Sequence, residues 1–370
     1  MLIRLPSPIE KTSWLSLCLL FLLAAPAQAA QLRVAVAQKI SEVKIGTSTT
    51  AIISDENGKK IGELQPQQGL TAQSSKGGIK IGDTQVTQVS VQPQQGGYIW
   101  IGDRWYRGSV RVISDGKQLI AVNHVDLEQY LYSVLGAEMS TNFPAEALKA
   151  QAVAARTYAL YRSQSTSQKP FDVDSTQASQ VYRGLSSEAN TTQAAVNATL
   201  GQIMVYQGKP ILAAFHSASG GHTENVEDIW TDNVPYLRGV ADYDAGTPGY
   251  EWTKTFTNGE LSQSLKINNI KSIAPDRTTQ FGSVVSLKID GDTSQTLPGS
   301  KVRTALKLRS LRFVITPTPT GFTFTGRGYG HALGMSQWGA YKMAQQGTTY
   351  TNILAHYYQG VEFKKSSATK

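Results

Sequence analysis

The sequence predicts an α+β fold in which helices pack on mixed, mostly antiparallel sheets behind a β-rich front segment. Residues 31–116 alternate apolar and polar side chains in short runs separated by glycine turns. Residues 126–200 change to helical spacing, and residues 250–324 return to strand-like runs ahead of two closing helical stretches. A period of two marks a half-buried strand, and a period near 3.6 marks a helix with one apolar face.

At the start, Arg4 and Lys11 flank an uncharged apolar run from Trp14 to Ala25, and Ala27-Gln28-Ala29 follows. Basic, apolar and small-residue segments in that order are expected for a cleaved secretory signal over residues 1–30. The apolar run is only about twelve residues, against the roughly twenty that a spanning helix needs. The only cysteine, Cys18, lies inside it. The exported chain is therefore expected to lack disulfides, and about 340 residues suffice to build one large core or two. The expected division is a β-rich segment at 31–105, a main domain at 106–363 and a polar, frayed tail at 364–370.

The net charge is +8; losing Arg4, Lys11 and Glu10 removes one unit. The remaining excess suits an acidic polymer or an anionic surface outside the membrane, with solubility as the plain alternative. Export and the absence of a tight Lys/Arg run argue against nucleic acid as a partner.

Within the front segment, Leu32-Arg33-Val34-Ala35-Val36, Val86-Thr87-Gln88-Val89-Ser90-Val91 and Ser109-Val110-Arg111-Val112 read as strands. Asn57-Gly58, Gly77-Gly78 and Gly96-Gly97 read as turns between them. Residues 126–137 place Leu127, Tyr130, Leu131, Val134 and Leu135 at helical spacing. A second helix begins at Pro144 and runs to 162, with Glu146 near its positive end. A third is expected at 187–200, then a hairpin through Gln207-Gly208-Lys209-Pro210. Helices at 336–346 and 350–358 close the chain, and Gly347 ends the first.

Three clusters carry candidate chemistry. In the first, Ala137-Glu138-Met139-Ser140, Glu138 stands at a helix end beside Leu135, Met139 and Phe143. A carboxyl so poorly solvated titrates above the usual value of about 4.3. A carboxylic acid that stays protonated near neutral pH is what a leaving glycosidic oxygen needs. The alternative is that Glu138 merely pairs with Lys149 or Arg156. Those two cations are seven residues apart and share a helical face, where they bind acidic groups or simply meet solvent.

The second cluster is Phe215-His216-Ser217-Ala218-Ser219-Gly220-Gly221-His222. Its histidines match no zinc spacing, so no metal is expected. Ser217 and Ser219 lack the Gly-x-Ser-x-Gly elbow of a serine hydrolase. The third runs from Gly326 to Ala340, with four glycines in nine residues. Such a loop presents amide donors, and Tyr329 and Trp338 offer flat surfaces for sugar rings. It lacks the Gly-Lys-Ser/Thr ending of a phosphate loop, and no cofactor is expected.

Taken together, Glu138-Met139, residues 146–158, His216 to Gly221 and residues 328–340 resemble, in order, the stage II sporulation protein D family, which also includes amidase-enhancer proteins. The resemblance covers residues 106–363. It implies a protein of the periplasm or cell wall that acts on peptidoglycan glycan strands. The sporulation enzyme is a lytic transglycosylase favouring strands stripped of stem peptides, and its catalytic glutamate lies in the Glu-Met motif. That role carries over to Glu138. Such an enzyme uses the sugar's own 6-hydroxyl as nucleophile, so one carboxyl serves as acid and then base, where a hydrolase usually needs two. Lys149, Arg156, Tyr158, His216, Ser219, His331, Ser336 and Gln337 are the candidate substrate-binding residues.

Amidase-enhancer relatives imply a second reading: a wall-binding protein that stimulates a separate amidase, or another wall hydrolase, with Glu138 as a polar contact. A third is a structural wall protein docked by its β-rich front. Two positions depart from the family pattern. Ser140 replaces the proline that often follows Glu-Met, and Ala332 replaces the glycine that usually follows the last histidine.

Overall fold

The computed structural model describes residues 30–230 and 233–366, so the expected signal segment and Cys18 lie outside the described residues apart from Ala30. Among the described residues, no helix is long and apolar enough to cross a membrane. The front of the chain folds into two sheets. The seven-stranded sheet runs in the order Val173–Asp174, Gln31–Ile40, Leu119–Asp126, Ser109–Ser114, Gln88–Pro93, Ala51–Ser54, Lys60–Leu64. Its pairings are antiparallel except for the parallel join of Val34 with Val173. The six-stranded sheet runs Arg104–Tyr106, Ile99–Ile101, Glu42–Thr47, Gly69–Ser75, Gly78–Ile81, Thr84–Val86.

Alternation buries one side of each sheet, and Val43, Ile45, Ile79, Val89, Val91, Val110 and Val112 share one core. The strand-rich region thus reaches Asp126, past the strand-like pattern read to residue 116, because Gln31–Ile40 pairs with Leu119–Asp126 from end to end apart from two bulges.

At Asp126 the chain turns into helix. Its side chain accepts the N–H of Gln129 at 3.0 Å and caps α1 (Leu127–Glu138). After Pro144, α2 (Ala145–Ser165) runs through the middle of the molecule, buried on nearly every side by small residues. The third helix is shorter than expected: α3 (Asn190–Ala198) follows a separate 3₁₀ turn at Gly184–Ser187. A single turn, α4 (Val226–Ile229), precedes an inserted unit.

That unit contains α5 (Asn258–Leu265), α6 (Gly299–Ala305) and two three-stranded antiparallel sheets, one centred on Gly321–Arg327 and one on Val284–Asp290. It has its own core, built around Trp252, Leu261, Leu287 and Phe324. Arg312 fastens it to the main body, donating to the carbonyls of Gly220 (2.9 Å) and His222 (3.0 Å) and to Glu224 (2.9 Å). Glu224 also accepts from Ser283 of the insert at 2.6 Å.

Next to α2 lie α7 (Gln337–Gln345) and α8 (Tyr350–Tyr357). Of the expected tail at 364–370, residues 367–370 lie outside the described residues. Glu362–Lys365 pairs with Gln202–Tyr206, matching Lys364 with Ile203, so Lys364 and Lys365 belong to a sheet.

Candidate active site

Glu138 is the last residue of α1, and buried Met139 leaves the helix in an extended conformation. Its half-buried carboxyl opens on a cavity of about 540 Å³. Oε1 accepts the N–H of Val181 at 2.6 Å, which leaves Oε2 to carry a proton. Burial pushes the carboxyl above its ordinary range; the Val181 N–H and the positive charge of Arg183 pull the other way and are outweighed. Glu138 pairs with neither Lys149 nor Arg156. Among the described residues lining the cavity it is the sole carboxylate.

The second and third sequence clusters form the facing wall. Phe215–His216 and Met335–Ser336 lie parallel, and a bridge joins Ala218 to Tyr329. Gly330 has φ +128°, and a Cβ there would stand 2.6 Å from that of His216, so only glycine fits. Next to His331, Ala332 has φ 61°, the left-handed region that explains the family's usual glycine.

The backbone of one residue, Leu333, serves both histidines. The carbonyl of Leu333 lies 3.1 Å from His216 Nδ1, and the Leu333 N–H donates to His331 Nδ1 at 3.0 Å. A carbonyl can only accept and an N–H can only donate. His216 is therefore protonated on Nδ1 and His331 on Nε2. His216 Nε2 keeps a buried lone pair without a partner among the described residues. Burial lowers the pKa of His216 to about 4; burial and the neighbouring His216 lower that of His331 to about 3. Both rings are neutral at neutral pH.

Of the predicted residues, Glu138, Tyr158, His216, His331 and Gln337 line the cavity. Four do not. Lys149 pairs with Glu146 at 2.7 Å and lies over the Tyr350 ring, beside a separate apolar pocket. Arg156 is fully buried, donating to both oxygens of Glu128 (2.8 and 2.6 Å) and to the Gln202 carbonyl (3.0 Å). At about 100° per residue, Tyr158 stands about 180° around α2 from Lys149 and about 200° from Arg156. The groove is on the tyrosine side.

Ser219 is buried and donates to Asp242 at 2.5 Å, while the backbone N–H groups of Gly220 and Gly221 donate to Asp244. It holds the loop rather than a ligand. Ser336 caps α7, accepting the Gly339 N–H at 3.1 Å. Trp338, a candidate sugar platform, packs instead between Phe143 and Tyr341. His222 stacks on Phe281 with ring centroids 3.8 Å apart, away from His216.

The sequence reading missed Gln177, Ser179 and Arg183 from one loop, Trp230, and Arg303 from the insert. Each lies outside the three motifs. Trp230 and Tyr329 are 40% and 45% exposed at the cavity, Trp230 packed against His331 (ring centroids 5.3 Å apart) and Tyr329 under the Arg309 guanidinium (5.6 Å). The arrangement offers one carboxyl of raised proton affinity, two neutral histidines, two arginines and flat apolar surfaces.

A family model described as stage II sporulation protein matches residues 115–206, which include Glu138. A second, described as a domain of unknown function, matches residues 245–334 and corresponds to the insert. Stage II sporulation protein D of Bacillus subtilis is 39% identical over 267 residues, covering 67% of this chain and 77% of that protein. An uncharacterized protein of Brachyspira hyodysenteriae is 38% identical over 77% of this chain and 79% of its own length. The amidase enhancer of Bacillus subtilis is 31% identical over 62% of this chain and 39% of the enhancer. With the Glu-Met helix end, the paired histidine loops and these relatives in agreement, the chain belongs to the stage II sporulation protein D family.

Proposed function

We propose that this protein is exported to the periplasm or cell wall and is a lytic transglycosylase of peptidoglycan. The observation that carries the reading is Glu138: a half-buried carboxyl with raised proton affinity, the sole carboxylate among the described residues lining its cavity. Glu138 donates its proton to the oxygen linking N-acetylmuramic acid to N-acetylglucosamine, and the C1–O bond breaks. The 6-hydroxyl of the muramic sugar attacks C1, and the Glu138 carboxylate takes the hydroxyl proton. The product is a 1,6-anhydro end, with the acid restored and no water consumed. Such acid–base assistance is worth roughly 10²–10⁴ in rate. Trp230 and Tyr329 are positioned for sugar stacking, and Arg183 and Arg303 favour a substrate bearing negative charge.

Mass spectrometry of purified glycan strands, with and without stem peptides, tests this directly. Ends carrying 1,6-anhydro-N-acetylmuramic acid are expected, forming roughly 10²–10⁴ times more slowly with Glu138→Gln. The kinship with an amidase enhancer favours one other reading, a wall-binding protein that stimulates an N-acetylmuramoyl-L-alanine amidase. Intact strands together with wall degradation only on adding an amidase would select it.

A further inference from the structure

The segment that lines the cavity with Ser179, Val181 and Arg183 also packs against the front sheet. Gly184, the residue after Arg183, has φ +64°, and a Cβ there would stand 2.1 Å from the carbonyl of Trp105. Tyr182 packs on Tyr106 with ring centroids 5.3 Å apart. Arg183, a lining residue of the cavity, is thus one residue from contact with the edge strand Arg104–Tyr106.

On that strand and its neighbour Ile99–Ile101, the residues alternate. Ile99, Ile101 and Tyr106 face the core, while Tyr98, Trp100, Trp105 and Arg107 take the outer side. The register sets Trp105 opposite Trp100, with ring centroids 5.5 Å apart at 72°. Beside them Arg107 lies over the rings of Tyr98 (5.5 Å) and Tyr132 (5.6 Å). Its Nε and Nη2 each donate to Glu188 at 2.8 Å, which fixes the guanidinium and neutralises it. A cross-strand aromatic pair stabilises a hairpin, and Trp100 also covers Gly46. Those roles account for Trp100 but not for a continuing row that leaves Tyr98 36% exposed and both tryptophans partly open.

We propose that this row is a second glycan-binding surface, on which sugar rings of a peptidoglycan strand rest after passing Arg183. The proposal rests on the glycan substrate argued above but not on cleavage. The occupant follows from continuity with the cavity and from charge. With Arg107 neutralised, the surface is suited to the apolar faces of sugar rings more than to an ionic partner. Rigid aromatic rings supply such contact at little entropic cost.

Sedimentation with insoluble peptidoglycan sacculi tests it, in a Glu138→Gln background that separates binding from turnover. Replacing Trp100 and Trp105 together by Ala is expected to weaken binding about tenfold, while replacing both by Phe keeps most of it. Unchanged affinity in a folded alanine variant overturns the proposal. Should that variant fail to fold, oxidative footprinting of the parent decides. Both tryptophans are expected to be protected by sacculi, and equal labelling with and without them rules the surface out. A parent protein that ignores sacculi altogether sinks the glycan reading itself. A parent that binds, with indifferent tryptophans, sinks only the platform.

Discussion

At the scale of single residues, burial decides how Glu138 behaves. Its carboxyl binds a proton more tightly in the fold than in the unfolded chain, so its stability contribution falls as pH climbs from about 4.3 through the raised native value. Catalysis that needs the protonated acid falls over the same window. Glu138→Gln has no proton to lose and keeps an oxygen for the Val181 N–H. It is expected to lose roughly 10²–10⁴ in rate yet melt at or above the parent temperature at pH 7, by calorimetry. A lower melting point would show that burial does not disfavour the charged carboxyl. Ala332 makes the opposite case, a side chain where glycine fits better. The left-handed conformation costs about 1–2 kcal/mol, and glycine's extra freedom in the unfolded chain returns about 0.4–1. Ala332→Gly should therefore raise the melting temperature by about 1–2 °C.

At the scale of elements, α2 shows what patterning tells and what it hides. Its existence and its start were legible, because Pro144 precedes it and helix-forming residues fill it, while it runs three residues past the expected end at 162. The side facing the groove was not, since small and apolar residues surround the helix and leave no polar stripe. Arg156 looked like a groove cation, yet it is the charge that ties α2 to α1 through Glu128. Truncating one member of a buried pair strands the other, at a cost of roughly 3–5 kcal/mol. Arg156→Ala should lower the melting temperature strongly, while the rate per folded molecule stays near that of the parent. A lowered rate in fully folded Arg156→Ala protein would put the arginine back among the site residues. The strands and closing helices were legible for the same local reasons. The 3₁₀ turn before α3 was not, because Gly184 is dictated by contact with Trp105, a residue far away in sequence.

At the scale of the whole molecule, two hydrophobic cores share one site. The strand-rich character of residues 250–324 was legible, but nothing local revealed a separate core, or that Arg303 would reach a cavity headed by Glu138. Side chains brought together only by the packing of distant segments carry no periodic mark. The insert is registered on the main body by Arg312, whose loss leaves the carbonyls of Gly220 and His222 and the buried carboxyl of Glu224 short of donors. Each unmet buried group costs about 1–3 kcal/mol. This loss falls at the junction, because neither core depends on Arg312 for its own packing. Arg312→Ala should therefore quicken amide exchange at residues 220–224 and 283, while the interior strands of both units stay protected. Glycan cleavage should fall along with it, since a misplacement of about 1 Å at a reacting centre costs on the order of 10²-fold. Loosened exchange with full activity would instead mean that Arg303, Tyr329 and His331 are bystanders, and that the main body holds the working site alone.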